Sequence, residues 1–305
     1  MRTILTLWYS LYMVQIDEEF KSNDVDKNVT YYDVVVIGGG AAGLSGAMVL
    51  ARANLKVLVI DNNRQSNLVS HAAHAVFTRD KTNPNELYKI AREQLLAYPT
   101  VEIFNDTVVK INQDEIFRFI LKSGIEITSK YLLFAQGVDY KLPDIQGVKA
   151  LFGTKIWHCP FCEGYEANDK KILVIVDDEK RPHIQSLLPL WSKRLSYIKP
   201  EELLSVEDKA DGLIAKYVAG QEEYFDAALV QTTPTQRDSL AEQLGCEKTE
   251  TGHIKVDEMN MTTIENVFSA GDQSSMFQQV NLAVAAGHIA GVAIVRLITI
   301  SSQTG

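Results

Sequence analysis

The fold is decided by the stretch Asp33-Val34-Val35-Val36-Ile37-Gly38-Gly39-Gly40-Ala41-Ala42-Gly43, an apolar run that ends in a glycine-rich turn. A continuous β-branched run is typical of a strand buried on both faces of a parallel sheet. The apolar segment after the turn, through about residue 53, predicts a helix. A second apolar strand at residues 56–60 follows and ends on Asp61.

The order and spacing of these segments match the dinucleotide-binding fingerprint. Gly38 makes the tight turn, Gly40 lets the backbone approach a pyrophosphate, and Gly43 permits close packing of the helix on the strand. The helix N-terminus faces the phosphates, and Asp61 can accept a hydrogen bond from a ribose hydroxyl. The fingerprint therefore predicts a dinucleotide site without saying which dinucleotide it binds.

Two of the three cysteines lie in the stretch Trp157-His158-Cys159-Pro160-Phe161-Cys162-Glu163-Gly164-Tyr165-Glu166. Thiols at this spacing can form a disulfide whose opening and closing carries two electrons. A zinc site is an alternative, but Cys246 is solitary and the six histidines form no paired ligand cluster. Two inert buried thiols are a second alternative, disfavoured by the intervening proline and by the flanking acid and base candidates. We favour redox chemistry and expect no metal.

Length and composition limit the class of protein. The chain has 305 residues, enough for about two domains, and 46% of them are hydrophobic. A net charge of −9 disfavours nucleic acid or an anionic membrane as the main partner. Three cysteines are too few for a secreted disulfide scaffold, so we expect a cytoplasmic protein. The apolar run at residues 4–14 is too short to span a bilayer and lacks a signal-peptide cleavage site.

A second glycine-containing strand end lies near the C-terminus. Residues 266–272 form a short apolar segment ending on Gly271 and Asp272, and an Ala- and Gly-rich helix follows over roughly residues 280–297. Gly271 permits close approach of the backbone to a ligand, and Asp272 can hydrogen-bond a sugar or ribityl hydroxyl. The N-terminus of the following helix would direct its positive end at the ligand.

Together these segments resemble the FAD-dependent pyridine nucleotide-disulfide oxidoreductases of the small thioredoxin-reductase type, over about residues 31–297. The resemblance implies FAD, a homodimer, and an α/β fold of two Rossmann-like, three-layer ββα domains. After an N-terminal extension at residues 1–30, a discontinuous FAD-binding domain takes residues 31–152 and 248–305. A shortened pyridine-nucleotide-like domain, residues 153–247, is inserted and carries the Cys-x-x-Cys. The candidate FAD-binding residues are Gly38, Gly40, Ala41, Ala42, Gly43, Asp61, Asn62, Asn67, His74, Gly137, Gly271, Asp272, Gln279 and Val280.

Two segments narrow the resemblance. Residues 158–165 and 74–80 are similar to a subgroup with a His-Cys-Pro-x-Cys active site, which includes bacterial thioredoxin-reductase-like proteins and the dithiol oxidases of gliotoxin and holomycin. The resemblance places Cys162 against the flavin and makes Cys159 the thiol that forms a mixed disulfide with substrate.

The acid and base candidates lie beside this pair. Glu163 is the first candidate for general acid/base catalysis and His158 the second, and a protonated His158 would also favour the thiolate. The expectation for Glu166 is a solvated surface carboxylate. His74 is either a hydrogen-bonded structural histidine or a residue near the flavin or substrate.

The inserted domain lacks the features of a nicotinamide site. A parallel strand at residues 171–176 is followed by residues 177–182, Asp-Asp-Glu-Lys-Arg-Pro, where a second glycine fingerprint would be expected. No glycine is present to make the turn. Three carboxylates lie where the two phosphates of the nucleotide would have to approach, and Pro182 lacks a backbone N–H that could bind them. We therefore predict that the NAD(P)H site is lost, unless loops elsewhere restore it.

These observations predict an enzyme that exchanges electrons between FAD and the disulfide of Cys159 and Cys162. One alternative for the direction is dithiol oxidation, with oxygen or another acceptor reoxidising the flavin. The other is reduction of a thioredoxin-like protein or a small disulfide, with electrons from ferredoxin or another carrier. A flavoprotein that has lost turnover and senses redox state is a third hypothesis. The sequence does not identify the substrate.

Overall fold

The computed structural model describes residues 29–304, with side chains up to Ser301. The apolar run at residues 4–14 and nearly all of the expected N-terminal extension lie outside the described residues.

The strands, in chain order, are β1 (Thr30–Ile37), β2 (Val57–Asp61), β3 (Val101–Asn105), β4 (Val108–Gln113), β5 (Phe117–Leu121), β6 (Glu126–Phe134), β7 (Val138–Lys141), β8 (Ile156–Trp157), β9 (Ile172–Ile175), β10 (Leu195–Ile198), β11 (Leu203–Lys209), β12 (Gly212–Tyr217), β13 (Glu222–Phe225), β14 (Ala227–Val230), β15 (Thr233–Gln236) and β16 (Val267–Ser269). The helices are α1 (Ala41–Arg52), α2 (Pro84–Leu96), α3 (Val148–Leu151), α4 (Pro160–Glu163), α5 (Arg181–Leu187), α6 (Leu240–Gln243) and α7 (Val280–Thr304). Short 3₁₀ turns cover Ser66–Val69, Leu188–Leu190 and Pro200–Glu202.

A seven-stranded sheet forms the first unit, in the order β3-β2-β1-β6-β5-β4, with β16 also paired to β6. Strand β1 lies between β2 and β6, parallel to both. Val34 and Val36 pack into the core on one face, and Val35 and Ile37 pack into the core on the other. This two-sided burial explains the continuous apolar run in the sequence. Because β16 returns to the sheet after the second unit, the first unit is discontinuous, as the resemblance implied.

Helices α1 and α7 pack against each other through glycines. A Cβ added at Gly287 would overlap the carbonyl oxygen of Ala42, and one at Gly46 would lie 3.0 Å from the carbonyl oxygen of Gly287. The hydroxyl of Ser45 also donates to the carbonyl oxygen of Val284 at 2.8 Å. The two backbones are therefore in direct contact, which fixes the N-terminus of α1 beside the end of β1.

The other faces of α7 carry exposed apolar side chains, including Leu282, Val284 and Ile289. Its stretch Val280–Ser301 is long and apolar enough to cross a membrane by length and composition alone, a test that core helices of soluble proteins also pass. Packing against α1 explains why the buried face of α7 is apolar, but it does not explain the apolar side chains on the exposed faces of α7.

The second unit is built on a parallel sheet in the order β10-β9-β14-β8. All four residues of β9 are buried, because β10 and β14 flank the strand and apolar clusters cover both faces of the sheet. An antiparallel sheet of β11, β12 and β13 completes the core on one face. The molecule therefore contains two Rossmann-like units, as predicted.

The chain passes between the units twice, and the strands at these crossings, β7 and β15, pair with each other. Beyond β7, Ile145 and Leu151 already pack in the core of the second unit. Beyond β15, Leu240 and Cys246 already pack in the core of the first unit. We therefore propose that the unit boundaries lie at β7 and β15, earlier in both cases than residues 152 and 247.

Replacing Gly287 by alanine tests the contact between α1 and α7. Alanine favours a helix over glycine by up to about 1 kcal/mol. The added methyl group would meet the backbone of Ala42, however, and overpacking costs about 1–3 kcal/mol. We expect Gly287→Ala to lower the free energy of unfolding, measured by denaturant titration followed by circular dichroism.

The control is Glu93→Gln, at an exposed position of helix α2. It should change the free energy of unfolding by less than about 0.5 kcal/mol. If Gly287→Ala stabilises the protein instead, the two helices are not held at backbone contact.

Candidate active site

A cavity of about 470 Å³ lies between the carboxyl ends of the first sheet and helix α4. Every site residue predicted from the sequence lines this cavity except Gly43. An added Cβ at Gly43 would overlap the carbonyl oxygen of Gly38, so this glycine allows α1 to pack on the turn. The fold thus brings the candidate cofactor-binding residues and the Cys-x-x-Cys to one space.

The turn between β1 and α1 presents open space and backbone donors to the cavity. Gly38 has a φ of +108°, and a Cβ there would overlap the carbonyl oxygen of Ala135. At Gly40, in contrast, an added Cβ would meet only the Cγ of Gln65, at 3.7 Å. Gly40 is the N-cap of α1 and provides no side-chain cap. The first-turn N–H groups are therefore available to an anion.

Asp61, at the end of β2, is only 5% exposed. Its Oδ2 accepts a hydrogen bond from Gln65 Nε2 at 2.9 Å and pairs with Arg92. The guanidinium compensates a carboxylate that would otherwise be costly to bury. Gln65 and Arg92 were not predicted from the sequence. For Arg92 the reason is that an amphipathic pattern does not show which polar residue of α2 turns towards the sheet.

Asp272 and Arg237 both line another part of the cavity wall. Burial raises the pKa of Asp272 to about 6, and the Arg237 guanidinium opposes this shift. Arg237 donates to the carbonyl oxygen of Val138 at 3.1 Å, and its Nε lies 3.3 Å from Asp139 Oδ1. Arg237 was not predicted from the sequence, since it comes from the crossing segment after β15. Its positive charge at this wall is shared with the carboxylates of Asp139 and Asp272.

Cys159 and Cys162 form a disulfide at the start of α4, with their Cα atoms 5.3 Å apart. Pro160 begins the helix, where its fixed φ is already helical. The N–H of Cys162 donates to the carbonyl oxygen of Cys159 at 3.1 Å. This single turn holds the two sulfur atoms in bonding range, and both cysteines line the cavity.

His158 is enclosed by aromatic rings. The ring of Tyr140 lies edge-on at 4.2 Å between centroids and that of Phe152 at 5.5 Å, and Nδ1 lies 3.1 Å from Thr232 Oγ1. Burial lowers the pKa of His158 to about 4, because the imidazolium loses its hydration. The expectation that a protonated His158 would favour the thiolate is therefore wrong at neutral pH.

Glu163, the last residue of α4, lies in a group of three titratable side chains with His74 and Glu166. The nitrogen and oxygen atoms that they offer all lie within 4.8 Å of one another. Burial raises the pKa of Glu163, and Glu166 adds to this rise while His74 opposes it. Glu166, which was expected to be a solvated surface carboxylate, has a side chain that is 36% exposed, and its Oε1 lies 3.5 Å from Nδ1 of His74.

Residues 177–182, which follow β9 where a second glycine fingerprint was expected, take no part in the cavity. Within residues 29–304, no cavity-lining residue comes from positions 164–236. The segment forms a turn before α5, in which the N–H of Asp177 donates to Gln231 Oε1 at 3.3 Å and Asp178 pairs with Lys199. Its side chains are exposed on the second unit.

Comparisons with known proteins agree with this geometry. The model of the pyridine nucleotide-disulphide oxidoreductase family matches residues 32–176 and 199–287. The chain is similar to thioredoxin reductase tcpT of Claviceps purpurea (strain 20.1), with 30% identity over 294 residues that cover 85% of this chain and 92% of the relative. It is similar to thioredoxin reductase sirT of Leptosphaeria maculans, with 25% identity and coverage of 85% and 92%. The crystal structure of putative thioredoxin reductase TrxB from Bacillus anthracis has a TM-score of 0.85 and 26% identity, covering 89% of this chain and 100% of that one.

The burial of His158 predicts a pH-dependent stability. Its pKa is about 4 in the folded protein, against an ordinary value of 6.5. The unfolded chain therefore binds more protons between these values, and stability falls as the pH is lowered through this window. The full effect is about 3 kcal/mol. His158→Asn should remove this part of the pH dependence, measured as the free energy of unfolding at pH values above and below the window.

His288→Asn, at an exposed position on α7, is the matched control and should keep the pH dependence of the wild type. Equal pH dependence in the wild type and in His158→Asn would contradict a buried, neutral imidazole.

Proposed function

Because the chain belongs to the pyridine nucleotide-disulphide oxidoreductase family, we propose that it exchanges electrons between FAD and the disulfide of Cys159 and Cys162 without using NAD(P)H. It is an enzyme of the thioredoxin-reductase-like kind, as its relatives show. One observation carries the proposal: a single cavity is lined by the fingerprint turn, by Gly271 and Asp272, and by the disulfide.

The residues around the cavity fit FAD. The uncapped start of α1 at Gly40, where a Cβ would enter open space, suits a pyrophosphate. Asp61 and Asp272 offer carboxylates to ribose and ribityl hydroxyls. Arg237 offers a positive charge beside Asp272. When bound, FAD would take two electrons from the thiol pair and pass them to an acceptor such as oxygen.

We assign the two cysteines different roles, following the family resemblance. In dithiol oxidation, a substrate thiolate attacks the sulfur of Cys159, the protein disulfide breaks, and Cys162 leaves as a thiolate. The second substrate thiol then displaces Cys159 and closes the substrate disulfide. Two electrons and two protons have then left the substrate, and the electrons are held by the cysteine pair.

The loss of the NAD(P)H site is supported by the charge of the turn that follows β9. Asp177, Asp178 and Glu179 are all exposed there. A pyrophosphate at this turn would meet like charges, which costs several kcal/mol when the groups are desolvated, as is typical of charge mismatches. Pro182 occupies the first turn of α5 and provides no backbone N–H.

For the direction, we propose oxidation of a small dithiol. Phe161 lies within the Cys-x-x-Cys and is 58% exposed, while Tyr165 nearby is 76% exposed, so apolar surface surrounds access to the disulfide. The second candidate is reduction of a thioredoxin-like protein or a small disulfide, with electrons from ferredoxin or another carrier. The name thioredoxin reductase borne by the relatives supports this second candidate.

We further propose that the protein is a cytoplasmic homodimer. The exposed apolar side chains of α7, among them Leu282, Val284 and Ile289, would be covered by a second copy. Sedimentation at twice the chain mass of 34.0 kDa would agree with this proposal, and sedimentation at the chain mass would contradict it.

A visible spectrum under argon tests the cofactor and its electron donor. The purified protein should show a flavin spectrum that dithiothreitol bleaches and that an equal concentration of NADPH leaves unchanged. Cys162→Ser should lose the response to dithiothreitol while keeping the flavin. A colourless preparation would refute FAD, and rapid bleaching by NADPH would refute the loss of the nicotinamide site.

Reoxidation separates the two directions. Enzyme reduced by light under argon should regain its oxidised spectrum rapidly when mixed with oxygen, and slowly with oxidised thioredoxin. The opposite order of rates would favour the second candidate. Cys159→Ser should lower steady-state dithiol oxidation by at least about 100-fold, because the thiol that receives the substrate is lost.

A further inference from the structure

Glu163 is joined by two side chains that the electron-transfer scheme does not use. His74 comes from the loop after the 3₁₀ turn Ser66–Val69, and Glu166 lies three residues beyond α4. Nδ1 of His74 is 3.5 Å from Oε1 of Glu166. One polar atom from each of the three residues lies within 4.8 Å of the other two.

We propose that Glu166 and His74 are positioning residues that act in opposite directions on Glu163 and so control when Glu163 holds the proton of the reacting thiol. The proposal rests on the thiol/disulfide function proposed above. It assigns roles to two residues that need not touch substrate.

The electrostatic argument rests on the distances within the group. Two carboxylates this close cannot both ionise without repulsion, so Glu166 favours the protonated form of Glu163. His74, as a cation, favours the ionised form. Burial raises the pKa of Glu163 in the same direction as Glu166 does. His71, from the same loop as His74, also lowers the pKa of Glu163.

The polar environment of Glu166 provides independent support. Its Oε2 is buried and has no hydrogen-bond partner among the described residues. A buried carboxylate oxygen without a donor is costly, whereas the same oxygen can share a proton with a nearby carboxyl group.

The proton step belongs to the first half of dithiol oxidation. A substrate thiol gives its proton to ionised Glu163, the resulting thiolate bonds to the sulfur of Cys159, and the bond to Cys162 breaks. The products are a mixed disulfide, a thiolate at Cys162 and a protonated Glu163, so charge and protons balance. In the reverse direction Glu163 returns the proton to the departing thiol.

The test is the pH dependence of disulfide opening by dithiothreitol in the full-length protein. Opening is measured by acid quench and alkylation of the free thiols, so the readout does not depend on the flavin. Each profile of opening rate against pH is divided by the profile of Glu163→Gln. This division cancels the part of the pH dependence that comes from the ionisation of dithiothreitol itself.

In the wild type, the corrected rate should fall as the pH is lowered through the pKa of Glu163. Glu166→Gln should move this midpoint to lower pH and His74→Gln should move it to higher pH, each by roughly half to one pH unit. Glu166→Asp keeps the charge and should restore the midpoint of the wild type. Glu93→Gln removes an exposed carboxylate from α2 and should leave the midpoint unchanged.

Shifts of the same sign in Glu166→Gln and His74→Gln, or no shift in either, would overturn the proposal. So would a Glu163→Gln profile identical to that of the wild type. Loss of folding cannot imitate the expected result, because it would not move two midpoints in opposite directions. If the disulfide opens but the flavin is never reduced, the proposed function fails, while the shifts still decide the roles of Glu166 and His74.

Discussion

The structure depends on backbone contacts that only glycine allows around helix α1. On one side, Gly43 lets the helix approach the turn at Gly38, and on the other, Gly287 lets α7 approach Ala42. These contacts fix the direction of α1, so that its uncapped N-terminus points into the cavity. A side chain at Gly43 would push α1 away from the turn at Gly38, and one at Gly287 would push α7 away from α1. The candidate phosphate site is therefore a consequence of helix packing.

The cavity combines buried carboxylates with arginines from distant segments. Asp61 pairs with Arg92, which lies on α2, and the charge of Arg237, which lies just after β15, acts on Asp272. In each case the positive charge reduces the cost of burying the carboxylate, and both aspartates line the cavity. The two arginines also link the sheet of the first unit to the segments that surround it.

The disulfide lies where the two units meet. Helix α4 follows β8 of the second sheet directly, and its cysteines face a cavity built mainly by the first unit. The paired strands β7 and β15 connect the units on both passes of the chain. The geometry that brings thiols near the candidate flavin site thus depends on how two separately folded sheets are joined.

The sequence by itself determined the features that depend on residues close together in the chain. The buried strands, the glycine fingerprint, the Gly271–Asp272 strand end and the Cys-x-x-Cys are all local patterns, because strand burial, a tight turn or a short disulfide loop needs only neighbouring residues. Only the tertiary structure decided the protonation of His158, which depends on rings from Tyr140 and Phe152. It also decided the meeting of His74 with Glu166 and the placing of Arg237 at the cavity, since burial and charge pairing are set by segments far apart in sequence.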